Sequence, residues 1–404
     1  MDQLRGLWVS DNPYYKYVGQ ANVTRETCNR LIKKNYHMEV AGFNGPKDPK
    51  ESINYKLPYE VHKIKRDSTS DIIESIHRSN PDFVILSHDC WMFPNLPKIV
   101  QKFPDIKFIG YWTIDGEPIS RLWKDILDSV HVTISPTHYG KRILQERYFH
   151  LDVNVVPYGA DTEVFFPLEE GPKKAARNSN GIYQFELQDK FVCLYVGQNQ
   201  NRKNIGCSID AWKEFAKDKD DVAFILLTRS RVDKFGEWVI PVDYDLQEWS
   251  GVPGLIIVDD IVNETTLPLF YQISDSFLLP TIGEGFGLPL IEAMACGSIP
   301  ITTNFSGHTD FCKNNENSLL LDGIDYYAGW NTKRKFVPPE HMYQALEFMY
   351  QGWKNKDAGF EKMKSNAIDT AKLYDWDYTA NGIDSCIREA VKTDNNKMNM
   401  VYKV

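Results

Sequence analysis

The stretch GEGFGLPLIEAMACG, residues 283–297, places two carboxylates and four glycines around one predicted strand-to-helix turn. The apolar run FLLP at 277–280 predicts the strand, and Pro289 suits the first turn of a helix that the last glycine would end. Glycines at such a turn let backbone N–H groups approach a ligand, and the helix N-terminus adds free donors for a phosphate. Carboxylates such as Glu284 and Glu292 accept hydrogen bonds from ribose or sugar hydroxyls. The pattern therefore predicts a nucleotide-sugar site.

Length and composition limit the class of protein. A chain of 404 residues suggests two or three units of about 150 residues each. Its net charge of −9 argues against nucleic acid as a partner. The seven cysteines are scattered without a CxxC or Cys/His metal spacing, which predicts reduced thiols, and we expect neither a metal site nor a cofactor. No signal pattern or long apolar run is present, so we expect a cytoplasmic protein without stable membrane insertion.

Short apolar runs alternate with helical patterns along most of the chain, which is typical of parallel sheets covered by helices. Residues 167–190 break this pattern with Gly, Pro, Asn and mixed charge, and we interpret them as a loose interdomain linker. Before the linker, strands are predicted at 4–9, 38–41, 83–87, 107–111, 130–134 and 153–156. After it, strands are predicted at 191–197, 222–228, 254–260, 277–280 and 298–302.

A polar turn, QNQNRKN at 198–204, directly follows the first strand of the second series. Ligands in such sheets bind beyond the carboxyl ends of the strands, so its cations Arg202 and Lys203 would face a ligand. Arginine binds phosphate bidentately and lysine acts as a point charge, so together they suit a diphosphate. Arg229, which follows the next strand, is a further candidate.

The Glu, seven residues, Glu spacing, with GFG inside it and EAMACG at its end, resembles the retaining glycosyltransferases of family 4. That family has the GT-B fold, an α/β architecture in which two Rossmann-like doubly wound domains face a cleft. The resemblance implies an acceptor-side domain at 1–170 and a nucleotide-sugar domain at 186–375. A final helix within 376–404 would cross back to the N-terminal domain.

The resemblance also implies roles for particular residues. In the family the first glutamate contacts the transferred sugar and the second contacts the ribose, which assigns these roles to Glu284 and Glu292. It implies catalytic roles for Glu284, Lys203 and Asp115. It implies donor-binding roles for Gly19, Gln198, Arg202, Lys203, Arg229, Gly285, Phe286, Gly287, Leu288 and Glu292.

Several positions depart from the family pattern. Gln198 stands where an arginine is usual, which leaves one phosphate contact neutral or lets a neighbouring arginine supply the charge. Ile114 stands where a histidine often precedes the aspartate, so Asp115 either binds a hydroxyl or forms a turn. Tyr158 replaces the histidine of the family's PHGVD motif. Gly19 matches the family's glycine loop or forms a plain turn.

The implied reaction transfers a glycosyl group from a UDP- or GDP-sugar to a hydroxyl of a glycan or other acceptor, with retention of configuration. One alternative is a non-catalytic nucleotide-sugar or glycan-binding relative. A dinucleotide oxidoreductase is another, but the glycine spacing does not match G-x-G-x-x-G. The compact, Asn-rich chain also resembles members encoded by large DNA viruses such as chlorella viruses.

Overall fold

The computed structural model describes residues 3–16, 18–46, 52–66, 68–179, 185–228, 233–235, 238–240, 244–259, 262 and 265–392. Arg229 lies outside the described residues. Two parallel sheets organise the chain, one before and one after the predicted linker.

The first domain is built on a seven-stranded parallel sheet. Its strands are β1 (Arg5–Asp11), β2 (His37–Phe43), β3 (Glu60–Ile64), β4 (Phe83–His88), β5 (Lys107–Trp112), β6 (Val132–Ser135) and β7 (Val153–Val155). They pair in the order β3-β2-β1-β4-β5-β6-β7. Its helices are α1 (Gly19–Lys33), α2 (Thr69–Ser79), α3 (Leu96–Lys102), α4 (Lys124–Asp128) and α5 (His138–Arg147).

The sequence had predicted six of these strands and missed β3. This strand reads EVHKI and lies at the edge of the sheet, with three polar side chains among its five residues. An edge strand with so few apolar residues lacks the continuous apolar run of a central parallel strand.

The second domain is built on a six-stranded parallel sheet in the order β12-β9-β8-β13-β14-β15. These strands are β8 (Phe191–Val196), β9 (Val222–Leu227), β12 (Leu255–Val258), β13 (Ser276–Leu279), β14 (Ile299–Thr303) and β15 (Leu319–Leu321). Two hairpins accompany the sheet, β10 (Asp233–Phe235) with β11 (Trp238–Ile240) and β16 (Ile324–Ala328) with β17 (Thr332–Phe336). The remaining helices are α6 (Glu170–Arg177), α7 (Ile205–Ala216), α8 (Leu267–Ile273), α9 (Leu288–Ala295), α10 (Pro339–Lys354), α11 (Ala358–Ala371) and α12 (Trp376–Lys392).

The order of the strands decides where a ligand can bind. In the first sheet the chain direction across the sheet reverses between β1 and β4, and in the second it reverses between β8 and β13. Open parallel sheets bind ligands beyond the carboxyl ends of their strands at such a switch point. The turns after β8 and β13 therefore lie together at the expected ligand site of the second domain.

The prediction of a loose linker at 167–190 is wrong for its first part. Residues Glu170–Arg177 form α6, and the side chains of Lys173 and Arg177 are buried. Lys173 Nζ lies 2.7 Å from Asp275 Oδ1, and Arg177 Nη2 lies 2.8 Å from Asp275 Oδ2. This part of the segment is therefore anchored on the second domain. Its composition marked a break in the βα pattern but could not reveal a partner about 100 residues away.

The last helix, α12, lies against the first domain. It contacts α1 and β5, and Arg30 Nε donates a hydrogen bond to Asp377 Oδ1 at 2.7 Å. The Tyr36 hydroxyl donates to Asp384 at 2.5 Å. Within the described ranges, no helix combines the length and the apolar character needed to cross a bilayer.

Candidate functional site

A cavity of about 770 Å³ lies where the two domains face each other. Its wall includes Gly19 at the start of α1 in the first domain. The second domain contributes Gln198 after β8 and both Leu288 and Glu292 of α9. Four residues of the predicted donor-binding set are thus brought together, although they come from three separate parts of the chain.

Glu292 is a nearly buried carboxyl group that lines this cavity, with 8% of its surface exposed. Its Oε2 accepts a hydrogen bond from the Tyr271 hydroxyl at 3.0 Å. Burial raises the pKa of Glu292 to about 7, and the bond from Tyr271 opposes this only in part. The side chain can therefore change charge near neutral pH. When ionised, it is an acceptor for ligand hydroxyls.

Glu284 lies in the turn after β13 at the centre of a charged cluster. Its Oε1 accepts hydrogen bonds from Lys203 Nζ and, at 3.0 Å, from Thr281 Oγ1, and Arg202 Nη1 lies 3.4 Å away. Burial alone would raise the pKa of Glu284, but the charges of Lys203 and Arg202 lower it to about 2. Glu284 is therefore ionised at neutral pH.

The two cations of this cluster differ in accessibility. They lie in a 3₁₀ turn, Asn201–Lys203, that follows β8, and β8 pairs with β13. This pairing brings Lys203 to Glu284 across 81 residues of sequence. The Lys203 side chain is 8% exposed, and burial lowers its pKa, whereas the Arg202 side chain is 39% exposed. A ligand in the cleft would therefore reach Arg202 more easily.

Two glycines of the 283–297 stretch allow close contact between the domains. A Cβ on Gly283 would lie 2.3 Å from the carbonyl oxygen of Asp115, and one on Gly285 would lie 2.8 Å from Thr113 Cβ. Gly287 has a φ of +97° at the N-cap of α9, where a side chain would be strained. The sequence had predicted that the glycines let backbone approach a ligand. In the structure, the neighbour that Gly283 and Gly285 approach is the first domain.

Asp115 of the first domain pairs with the second domain. Arg334 Nη2, on β17, lies 2.8 Å from Asp115 Oδ1. Burial and the carboxylates of Asp89 and Glu284 raise the pKa of Asp115, while Arg334 opposes this effect. Because Gly283 packs against the Asp115 backbone, Asp115 lies beside the turn that carries Glu284. The sequence left open whether Asp115 binds a hydroxyl or forms a turn, and neither alternative included this ion pair.

Phe286 has a different environment from the rest of the predicted donor-binding set. It is 3% exposed, and its ring packs against Tyr158 and Phe311, with centroid distances of 5.3 Å and 5.1 Å. Tyr158, which stands at the family's histidine position, also packs against Trp376 of α12 at 6.4 Å. The Phe286 side chain therefore belongs to the apolar contact between the domains and does not line the cavity.

Sequence reasoning assigned no individual role to four residues that hold this arrangement together. Tyr271 bonds to Glu292, Thr281 to the Glu284 carboxylate, and Ser306 Oγ accepts from the backbone N–H of Glu284 at 2.9 Å. The fourth is Arg334. Thr281 and Ser306 follow predicted strands, but the partners of Ser306 and Arg334 are set by strand order and by the hairpin.

Comparison with known proteins connects this geometry to a family. Residues 190–329, which contain the turns after β8 and β13, match the family model described as "Glycosyl transferases group 1". This part of the second domain is therefore similar to group 1 glycosyltransferases. The matched residues include the 283–297 stretch on which the sequence resemblance rests.

Curated relatives cover part of the chain. The D-inositol 3-phosphate glycosyltransferase of Paenarthrobacter aurescens is 24% identical over 258 residues, which are 63% of this chain and 54% of that protein. The alpha-monoglucosyldiacylglycerol synthase of Acholeplasma laidlawii is 28% identical over 198 residues, 48% of this chain and 46% of that protein. The chain thus spans about half the length of the curated relatives it matches.

Solved structures match the chain over nearly its whole length. Sucrose-phosphate synthase from Thermosynechococcus elongatus has a TM-score of 0.73 at 17% identity, with 96% of this chain and 99% of that one covered. Anabaena HepE, crystallised with UDP and glucose, has a TM-score of 0.69 at 13% identity, with 96% and 100% covered. The predicted GT-B fold is thereby confirmed.

Proposed function

We propose that the protein is a retaining glycosyltransferase that moves a sugar from a UDP- or GDP-sugar to a hydroxyl of a glycan or glycoconjugate. The observation that carries this proposal is the combination of two different carboxyl groups at one switch point. Glu292 lines an interdomain cavity and has the neutral Tyr271 hydroxyl as its hydrogen-bond partner, whereas Glu284 is ionised within a cluster of cations. A nucleotide sugar has a neutral ribose and a charged diphosphate, and this pair of environments is complementary to both.

The donor would lie with its ribose against Glu292 and its diphosphate near the start of α9. Arg202 and Lys203 come from the turn after β8, and the positive end of the α9 helix dipole would favour the phosphate groups. Gln198 lines the cavity as a neutral neighbour of this region. The transferred sugar would then extend towards Glu284. We propose that neither a metal ion nor another cofactor is needed for donor binding.

The chemistry proposed is front-face attack. The bond between the anomeric carbon and the phosphate oxygen breaks, the acceptor oxygen forms the new bond on the same face, and its proton passes to the leaving phosphate. Arg202 and Lys203 offset the charge that develops on the leaving group, and the Glu284 carboxylate stabilises the positive sugar.

His308, whose charge would influence the Glu284 carboxylate, is unsuited to act as a base. His308 is fully buried, and its Nε2 lies 2.7 Å from the carbonyl oxygen of Thr303. Burial lowers its pKa, so the ring stays neutral and holds the backbone of its own loop. A mechanism in which the leaving phosphate takes the proton fits this environment.

The acceptor would enter from the side of the first domain, where Asp115 lies beside the turn that carries Glu284. All seven cysteines are free thiols, which fits the cytoplasmic location that we propose. The net charge of −9 fits a small-molecule or glycan partner better than a nucleic acid. A viral source stays a prediction from the resemblance.

A screen of UDP- and GDP-sugars tests the proposal. A ligand present at 100 times its Kd should stabilise the protein by about 2.7 kcal/mol, which thermal unfolding detects. The sugar that stabilises the chain should then be turned over with glycan acceptors, and Glu284→Gln should lower kcat by roughly 10- to 150-fold while stabilisation persists. Stabilisation without turnover across a broad acceptor panel would favour the non-catalytic relative. If no nucleotide sugar stabilises the chain, the proposed donor site is wrong.

A further inference from the structure

Two histidines and two glutamates share one face of the β2–β3 ladder. His37 and Glu39 are two residues apart on β2, and Glu60 and His62 are two residues apart on β3. Alternate residues of a strand point to the same face. The parallel register pairs Glu39 with Glu60, so that all four side chains lie on the same side of the sheet.

The potential ligand atoms of these side chains lie close together. His62 Nε2 lies 2.9 Å from Glu39 Oε2 and 4.0 Å from Glu60 Oε2, and His37 Nε2 lies 3.4 Å from Glu39 Oε1. Tetrahedral zinc has bonds of about 2.0 to 2.2 Å, which separates its ligand atoms by about 3.3 to 3.6 Å. The ligand atoms of Glu39, Glu60 and His62 all lie within 4.8 Å of one another, and rotation of the exposed His37 side chain would bring its ring to the same point.

His62 is the observation that distinguishes this cluster from a group of surface acids. Its side chain is 6% exposed, and among the described residues neither of its ring nitrogens makes a hydrogen bond. Glu39 Oε2 is near enough to Nε2 for such a bond, but it is not in line with the N–H. Two side chains that bind the same ion are oriented in this way, because each points at the ion and not at the other side chain. Buried polar groups normally have partners, so the ring calls for one.

We propose that His37, Glu39, Glu60 and His62 bind one divalent transition-metal ion of the Zn²⁺ type. Two imidazoles with two carboxylates are a suitable ligand set for this ion. Ser79 Oγ donates to Glu39 Oε2 at 3.0 Å and would orient that ligand from the second shell. Glu60 is 68% exposed and would turn from its partner Arg78, 3.0 Å away, towards the ion.

The ion would join β3 to the body of the sheet. β3 is the edge strand, and the cluster lies near the amino-terminal ends of β2 and β3. The interdomain cavity lies at the opposite, carboxyl ends of the strands. The metal is therefore a structural one, and the inference does not depend on the proposed glycosyl transfer.

Metal titration of the full chain, first stripped with a chelator, tests the site. Calorimetry with Zn²⁺ should find one strong site per chain, and saturation should raise the unfolding temperature. His37→Ala and His62→Ala should each weaken Zn²⁺ binding by at least about 100-fold, and Ser79→Ala by about 10- to 100-fold. His37 is 54% exposed, so its replacement keeps the test valid if the buried His62 variant fails to fold.

His150→Ala is the matched control, because His150 is an exposed histidine 2.8 Å from a single carboxylate, that of Asp128. It should leave Zn²⁺ binding unchanged. Bound Co²⁺ should show d–d absorption without a thiolate charge-transfer band, since the ligands are nitrogen and oxygen. Absence of a strong site overturns the proposal, as does a site that persists in His37→Ala or one with thiolate absorption.

Discussion

Arg334 Nη2 lies 2.8 Å from Asp115 Oδ1, so a hairpin of the second domain carries a cation to the loop beyond β5 of the first. The neighbouring Lys333 reinforces this contact. Its backbone N–H and carbonyl bond to the backbone of Glu117 at 2.6 Å and 3.1 Å, and its Nζ lies 3.1 Å from the Glu117 carboxylate. The hairpin thereby joins the two domains beside the charged cluster of Glu284.

We first predict that Arg334 and Asp115 act as a unit in turnover. Arg334→Ala and Asp115→Asn should each lower kcat/KM, and the double variant should be no worse than the poorer single variant, because both changes remove the same contact. Steady-state kinetics of the four forms measures this coupling. Lys335→Ala is the control, because Lys335 pairs with Asp325 inside the hairpin. If the losses of the two single variants in kcat/KM, expressed as free energies, simply add in the double variant, Arg334 and Asp115 act independently.

The two glutamates should give different kinetic defects. Glu284→Ala should mainly lower kcat, because its carboxylate acts on the charge that develops on the sugar, and Glu292→Ala should mainly raise the donor KM. A charged hydrogen bond of about 1.5 to 3 kcal/mol corresponds to a loss of roughly 10- to 150-fold.

Nucleotide binding without the sugar gives the cleaner comparison of these variants. Affinity for UDP or GDP should fall in Glu292→Ala. It should be kept in Glu284→Ala, because this change releases Lys203 from its carboxylate partner. Calorimetry measures both, and the reverse pattern would mean that the two roles are exchanged.

Donor binding should depend on pH through Glu292. Burial raises its pKa to about 7, and the ionised form is the better acceptor for ribose hydroxyls, so affinity for the donor should fall as the pH drops below 7. Glu292→Gln should bind more weakly and with a flatter pH profile. An intact nucleotide sugar is the appropriate ligand, since it has no terminal phosphate that titrates in this range. If donor affinity depends on pH equally steeply in Glu292→Gln, a group other than Glu292 causes the dependence.

Turnover should persist without a metal ion. Arg202, Lys203 and the positive end of the α9 helix dipole supply the positive charge at the proposed diphosphate site. Assays with excess EDTA should therefore keep most of the activity, although the chelator should lower the unfolding temperature through the β2–β3 site. Complete loss of turnover that a divalent ion restores would contradict this donor site.

Asp275→Ala should strongly destabilise the second domain, by about 3 to 5 kcal/mol, because it leaves Lys173 and Arg177 buried without their carboxylate. Burial opposes the ionised form of Asp275, but the two cations lower its pKa below the usual value. Its contribution is therefore present above the unfolded pKa and is lost as the pH falls through the lower folded pKa.

Denaturant unfolding of Asp275→Ala measures this loss at neutral and at acidic pH. The control is Asp369→Ala, in which an exposed aspartate loses its partner Lys372, and which should change stability by less than about 1 kcal/mol. If Asp275→Ala and Asp369→Ala lose equal free energies of unfolding, the buried ion pairs of Asp275 do not anchor α6.

The sequence by itself determined the elements whose signals are local. Apolar runs located the central strands, and Pro289 with Gly297 predicted a helix that the structure places at Leu288–Ala295. The placement of Glu284 in a turn and of Glu292 on the following helix was predicted correctly, because spacing along one turn and one helix does not depend on other elements. Each of these features depends on the local backbone conformation and on which face of the helix or strand is buried. These two properties leave a pattern in the sequence within a few residues.

Only the tertiary structure decided which distant groups meet. Lys203 reaches Glu284 because β8 pairs with β13, and Arg334 reaches Asp115 because a hairpin crosses between the domains. The edge strand β3, with its His62, left no apolar run to detect. Strand order and domain contact depend on the packing of the whole chain, so residues 81 or 219 positions apart carry no local sign of their partner.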